Sequence, residues 1–567
     1  MADNQNAAQV YKGIGVGRGA VAGPVVRANP APVAPADAPP PQNLDAAATQ
    51  LTDALAAVSH ELQQRSEQAT GTLAAVLGAA AEIAADPELA DQAVEKVQGG
   101  TDPAVAITAV CKDFADMFLA AGGYMAERVT DLNSVRDRVV ARLLGLPEPG
   151  VPGLKKPSII VAQDLSPADT GALDLRNVLG IVLEQGGPTS HTAIIAGQLG
   201  LPCIVRVPGA AFLKDDDEVA LDAARGTVTV NPDADTLAAV AGRQKALEAL
   251  TEDKSDGATS DGHKIQLLAN IGTAEDAERL TNEAVEGVGL FRTEVLFLDA
   301  QTAPTEKDQT AVYERTLNAL GDRKVVIRTI DAGADKPLAF ATQPNEENPA
   351  LGIRAYRLNR IMPELLDTQL KAIAAAAKQS GHEPWVMAPM IATVTEAKDF
   401  AEAAHADGIQ KAGVMIEIPS AAIKAKEILE QVDFVSIGSN DLAQYTQAAD
   451  RLSGDLADLL DMWQPGTLFL VNRTAEAGLA TGKPVGVCGE SAADPLMALA
   501  LTGMGITSLS MAPKAVPAVR FALANHTFAE CQEIAKAALS ADTAAEGRAA
   551  ALALVKPEVR EALVLEK

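Results

Sequence analysis

The chain has 567 residues, 48% hydrophobic and 22% charged, with a formal net charge of −28 at pH 7. This length supports several separate cores, and the acidity argues against a nucleic-acid backbone or an anionic membrane as partner. The four widely spaced cysteines form no C-x-x-C pair, and no run of about 18 apolar residues occurs, so a zinc ribbon, a disulfide framework and a membrane span are not expected and a reducing cytoplasm is.

The start, MADNQNAAQV, has neither a basic region nor an apolar run, so no signal peptide is expected. Residues 8–27 then read as short strands broken by Gly13, Gly15, Gly17, Gly19 and Gly23. Gly15 to Ala20 formally matches a dinucleotide fingerprint. Proline follows where that motif needs a helix, so turns between strands are the better reading. From Asn43 to about Gly145 the pattern becomes helical. Leu44, Leu51, Leu55, Val58 and Leu62 form one apolar stripe, and Val110, Phe114, Met117 and Phe118 another, which predicts a helical bundle over 31–145. Beyond a Pro/Gly-rich linker, Ser158–Val161, Val178–Leu183, Cys203–Val207 and Thr227–Val230 read as strands. With residues 1–30 they make a small α/β domain over 1–30 and 146–232. A connecting helix and polar linker occupy 233–262.

From residue 263 onward strands and helices alternate. Eight strands are expected: Lys264–Ile271, Gly287–Phe291, Lys324–Ile330, Trp385–Met390, Gly413–Ile418, Phe434–Ile437, Pro484–Cys488 and Ile506–Ser510. Eight βα units in about 300 residues predict a C-terminal (β/α)8 barrel over 263–567, with a doubly wound sheet as the alternative. The whole is thus a multidomain α/β protein, with a helical bundle inserted in a small α/β domain ahead of the barrel.

Barrel chemistry sits at the C-terminal ends of strands. There the sequence has Arg292, Arg328, Glu417, Asn440, Asp441, Cys488 and Ser510. Singly, an arginine is most often a surface ion pair, a carboxylate a helix cap, and a cysteine a small buried hydrophobe. Jointly they point to an anionic, phosphorylated substrate. Arginine forks match phosphate and carboxylate, and paired carboxylates suit Mg²⁺ better than zinc. A second motif, GGPTSHTAI, follows a strand and opens a helix. The helix N-terminus would disfavour the imidazolium and keep His191 neutral and nucleophilic, able to accept a phosphoryl group.

With these motifs stand GVGLFRTE, VVIRTIDAGADKP, NPALGIRAYR, VMIEIPSAA, IGSNDLAQY, ADR and CGESAADP. In this order the chain resembles the enzyme I family of the phosphoenolpyruvate:sugar phosphotransferase system from about Lys12 to Leu539. The resemblance implies phosphorylation of His191 by phosphoenolpyruvate and then transfer to a histidine of the phosphocarrier protein HPr. It implies that Arg292, Arg328, Lys336, Arg354, Asn440, Asp441 and Arg451 bind the substrate. Glu417 and Asp441 would hold Mg²⁺, and Cys488 would protonate the enolate. It makes the small α/β domain the phosphohistidine domain and the bundle the HPr-docking domain, and it implies a homodimer through the barrel. Two rivals are a pyruvate-phosphate dikinase or phosphoenolpyruvate synthase, for whose large nucleotide domain the chain has no room, and a regulatory relative without turnover. The segment after Leu539 has no assigned role in this reading.

Overall fold

The computed structural model describes residues 9–17, 19–68, 72–121, 123–165, 169, 173, 176–187, 192–193, 196–197, 201–210, 213–297, 300–332, 338–342, 346–451, 453 and 456–565. The chain divides into two compact units, Met1–Gln244 and Lys245–Lys567.

In the first unit, eight strands form one mixed sheet: β1 (Gln9–Lys12), β2 (Ile14–Val16), β3 (Ala20–Arg27), β4 (Ser158–Ala162), β5 (Val178–Leu183), β6 (Cys203–Val205), β7 (Glu218–Asp222) and β8 (Thr227–Val230). Their order is β1-β8-β7-β3-β4-β5-β6-β2. Strands β3 to β6 run parallel, flanked by antiparallel partners on both sides. Their near-continuous Val, Ile and Leu, as in Ile159, Ile160, Ile181, Val182 and Ile204, are what strands buried on both faces require. Strand β7, EVALD, is an addition to the sequence reading, since two acidic ends in five residues hide its apolar centre.

The bundle enters between the adjacent parallel strands β3 and β4. Its helices are α1 (Leu44–Gln68), α2 (Thr72–Ala84), α3 (Pro87–Gln98), α4 (Pro103–Ala121) and α5 (Gly123–Leu144). The α1 stripe is buried as expected: Leu51, Leu55, Val58 and Leu62 meet Leu89, Val97, Ile107, Val110, Val135 and Val139. Asp86 caps α3 by accepting from the Glu88 N–H at 2.8 Å, with Pro87 opening the helix. Met117 departs from the expected core stripe and is exposed. It lies near the edge of the α4 face centred on Ile107, Cys111 and Ala115, where helix rotation carries a side chain outward.

The second unit is a closed parallel barrel: β9 (Gln266–Ile271), β10 (Gly287–Arg292), β11 (Lys324–Arg328), β12 (Trp385–Ala388), β13 (Lys411–Ile416), β14 (Phe434–Ile437), β15 (Val485–Val487) and β16 (Ser508–Met511). All eight expected strands are present, and the doubly wound alternative is excluded by the β16–β9 closure. Alternate residues face outward to the helices, among them Leu267, Val288, Phe291, Ile327 and Leu509. Leu290, Val326, Met387, Met415, Phe434 and Cys488 form a separate inner cluster. Capping boxes at Thr273/Asp276, Thr393/Glu396 and Thr527/Glu530 start three of the surrounding helices. The segment beyond Leu539 forms helices Ala544–Ala553 and Pro557–Leu563. It buries Ala551, Val555, Val559, Leu563 and Leu565 in the main barrel core. Among the described residues no helix is long and apolar enough to cross a membrane.

Candidate active site

Five strands and the loops after them deliver the ionisable groups at the C-terminal mouth of the barrel. Arg292 is the last residue of β10 and Arg328 the last of β11. Arg328 is buried and donates to Glu294 Oε1 at 2.6 Å and pairs with Asp331 Oδ2 at 3.1 Å. Burial opposes its charge, but Glu294, Asp331 and Glu417 outweigh that and raise its pKa. Arg354 is equally buried. It grips Asp331 with two nitrogens, Nη2 lying 3.0 and 3.1 Å from the two carboxylate oxygens, and reaches Asp441 at 3.3 Å and the Tyr445 hydroxyl at 3.2 Å. Arg451 Nη1 lies 3.6 Å from the other Asp441 oxygen. Arg292 differs: burial and the neighbouring Arg328 charge push its pKa down. The Arg292–Arg328 corner therefore favours an added anion.

Glu417 follows β13 and is 1% exposed. Its Oε2 accepts from the Met390 N–H at 2.8 Å, while Oε1 is buried with no hydrogen-bond partner among the described residues. Burial, then the charges of Asp441 and Asp331, push its pKa up to about 8. A buried carboxylate oxygen without a donor is costly, so the site is built for a further positive group. The local backbone serves this placement. Met390 takes φ 59, unusual for a residue with a side chain, and presents its N–H to Glu417. Gly438 leaves room, since a Cβ there would meet Glu417 Oε1 at 2.5 Å. Asp441 sits in the first turn of the helix Ser439–Gln447, where the helix N-terminus favours its charge. Asn440 in the same turn accepts from the Glu490 N–H at 3.1 Å, tying it to the loop after β15.

Cys488 follows β15 and is buried. Its Sγ lies 3.6 Å from the Ile437 carbonyl, and burial pushes its pKa up to about 11. The thiol is thus protonated at neutral pH. Asn270 Nδ2 donates to the Cys488 carbonyl at 3.3 Å and Ser510 Oγ to Asn270 Oδ1 at 2.6 Å, so the ends of β9 and β16 fix the loop that carries the thiol.

Arg292, Arg328, Arg354, Arg451, Glu417, Asn440, Asp441 and Cys488 thus lie in the same barrel mouth. Lys336 and His191 lie outside the described residues, as does much of the expected helix after His191. On its approach, Arg206 after β6 donates to the Gly186 carbonyl at 2.9 Å. Sequence reasoning did not single out Glu294, Asp331 and Tyr445. The first two stand within the quoted runs FRTE and RTIDAGADKP, two and three residues past Arg292 and Arg328, where a carboxylate looks like an ordinary turn residue. Among the described residues no three Asp, Glu, His or Cys side chains make a closed metal cage.

This barrel, with its mouth of buried arginines and carboxylates, is that of the enzymes that use phosphoenolpyruvate. Residues 246–528 match the family model "PEP-utilising enzyme, PEP-binding domain", 154–226 the mobile domain and 12–128 the N-terminal domain. Proteins named phosphoenolpyruvate-protein phosphotransferase are similar along nearly the whole chain. That of Streptomyces coelicolor is 46% identical over 96% of this chain and 99% of its own, and that of Haloferax volcanii 36% over 87% and 90%. The Haemophilus influenzae protein is 38% identical over 75% and 76%. The chain belongs to the phosphoenolpyruvate-protein phosphotransferase family.

Proposed function

We propose that this enzyme takes the phosphoryl group of phosphoenolpyruvate onto His191 and passes it to a histidine of the phosphocarrier protein HPr, the first step of phosphotransferase sugar uptake. The observation that carries the reading is the cluster of four arginines in the barrel mouth: Arg328, Arg354 and Arg451 held by Glu294, Asp331 and Asp441, with Arg292 beside Arg328. Phosphoenolpyruvate carries a phosphate and a carboxylate. Two fork-shaped cations for each end match its charge and planarity. Phosphoryl transfer needs positioning and charge neutralisation more than covalent chemistry. Carboxylates that fix the arginines before substrate arrives reduce the reorganisation needed during reaction.

In this reading Arg292, Arg328, Arg354, Arg451, Lys336 and Asn440 orient the substrate. The bond between phosphorus and the enol oxygen breaks, its electron pair stays on that oxygen, and phosphorus bonds to a ring nitrogen of His191. The resulting enolate takes a proton from Cys488 Sγ at its methylene carbon, giving pyruvate. The raised thiol pKa supports this role, since an acid must hold its proton until the enolate forms. Glu417 and Asp441 would hold Mg²⁺, and the partnerless Glu417 Oε1 and the all-oxygen donor set fit a hard cation that keeps waters and substrate oxygens as ligands. When bound, Mg²⁺ would supply positive charge to the phosphate and the enol oxygen.

The domain roles follow the same reading. Residues 1–30 and 146–232 are the phosphohistidine domain, 31–145 the HPr-docking bundle, 233–262 a linking helix and linker, and 263–567 the substrate barrel. A cytoplasmic homodimer joined through the barrel belongs to it as well. The test is to offer ³²P-labelled phosphoenolpyruvate and γ-³²P-ATP in parallel. Label entering the protein from phosphoenolpyruvate alone is expected. Label from ATP would favour the dikinase class, and none from either a relative without turnover.

A further inference from the structure

The inside of a (β/α)8 barrel is ordinarily filled by bulky branched side chains. Here one side of it is lined by small residues: Gly289 on β10, Ser436 on β14, Gly486 on β15, and Ser508 and Ser510 on β16. They border a cavity of about 10 Å³, whose wall also includes Lys324 at the start of β11. That is near the lower limit for holding one water.

The cavity connects two groups that the proposed chemistry leaves unrelated. At its upper end Ser436 pairs in register with Gly486, two residues before Cys488, and its hydroxyl favours the Cys488 thiolate. Beside it, Gly486 keeps the path open. A Cβ at that position would lie 2.6 Å from Ser508 Oγ and 3.8 Å from Ser436 Oγ, between the two hydroxyls. At its lower end, at the N-terminal rim of the barrel, Lys324 Nζ sits 3.8 Å over the Trp385 ring and 3.3 Å from Gln266 Oε1. Lys324 is half-buried, at the rim opposite the arginines. Hydroxyl groups both donate and accept, which lets a proton pass along them without charge accumulating on any one.

We propose that Ser436 and Ser508, with one water between them and Lys324 at the outlet, form a relay that returns a proton to the Cys488 thiolate after each turnover. The inference rests on the reading of Cys488 as the acid. Once Sγ has given its proton to the enolate carbon, the thiolate takes the Ser436 hydroxyl proton. Ser436 recovers one from the water, the water from Ser508, Ser508 from the Lys324 ammonium, and the amine from solvent. The net change is one proton drawn from solvent for each pyruvate formed. Burial lowers the Lys324 pKa to about 8, so its ammonium exchanges protons readily near neutral pH.

The experiment uses the full-length enzyme with Mg²⁺ and excess HPr. It compares the first turnover, by rapid quench of pyruvate, with steady-state turnover in H₂O and D₂O. Ser436→Ala should slow the steady state by about tenfold, less than the ~10²–10⁴ carried by a direct acid, while the first turnover changes by under about twofold. Its solvent isotope effect on steady-state turnover should rise above that of the unaltered enzyme. Ser436→Thr, which keeps the hydroxyl, should restore turnover. Lys324→Met, at the far rim, should reproduce the steady-state defect. Equal slowing of both phases in Ser436→Ala with an unchanged isotope effect would make Ser436 a packing residue and overturn the relay. So would unaltered steady states in both Ser436→Ala and Lys324→Met beside an impaired Cys488→Ala, a result that would leave Cys488 as the acid, reprotonated through the mouth. A fully active Cys488→Ala would overturn the acid assignment itself.

Discussion

At the scale of single residues, Cys488 is the group whose chemistry the fold defines most sharply. A thiol in water titrates near 8.5. Burial among Leu290, Met387, Met415 and Phe434 and a pKa near 11 keep this one protonated. Cys488→Ala should retain binding of phosphoenolpyruvate, because the arginines remain, while net turnover falls by about 10²–10⁴. Pyruvate formed by the variant in D₂O from stereospecifically labelled substrate should lose its handedness at the methyl carbon. Stereospecific protonation at an unchanged rate would assign the acid elsewhere. The sequence made this residue legible by position alone: a cysteine directly after a short apolar run at strand seven. Arg292, Arg328 and Glu417 were legible in the same way. Asp331 was not, because it lies past the strand end, and its value comes from the pairing with Arg328 and Arg354, which no linear spacing encodes.

At the scale of elements, the C-terminal helices are held to the barrel through a histidine. His526 is fully buried. Its Nδ1–H donates to the Ala522 carbonyl at 2.8 Å, and its Nε2 accepts from the Lys556 N–H at 3.2 Å. Both contacts need the neutral ring, and burial lowers its pKa. Above about pH 6.5 His526 is neutral folded or unfolded and contributes no pH dependence. Below it the unfolded chain gains a proton that the folded protein refuses, so stability falls as pH falls. The midpoint of urea unfolding should therefore decline between about pH 7 and pH 5.5. The decline should be shallower in His526→Gln, whose amide is uncharged. Parallel pH profiles of the two proteins would remove His526 as the cause. None of this was visible in the sequence, where Ser540–Lys567 read as a segment without a role. Its small residues, such as Ala551 and Val555, carry little periodic contrast, and only the barrel surface they cover shows which face is apolar.

At the scale of the whole molecule, alternation of eight apolar runs with helical segments in some 300 residues left a barrel and a doubly wound sheet, and the polar residues at the strand ends favoured the barrel. The first unit was less legible. Its sheet combines parallel strands with antiparallel edges and is interrupted by α1 to α5, so partners such as β3 and β4 lie more than 100 residues apart. The central claim joins the barrel chemistry to the histidine of the first unit. It is tested most directly by incubating the full-length protein and His191→Ala with ³²P-labelled phosphoenolpyruvate and Mg²⁺, then treating each with acid and with base. The account predicts a base-stable, acid-labile phosphate on the unaltered protein and none on His191→Ala, although that variant still binds phosphoenolpyruvate. Acid-labile, base-stable label on His191→Ala would contradict it.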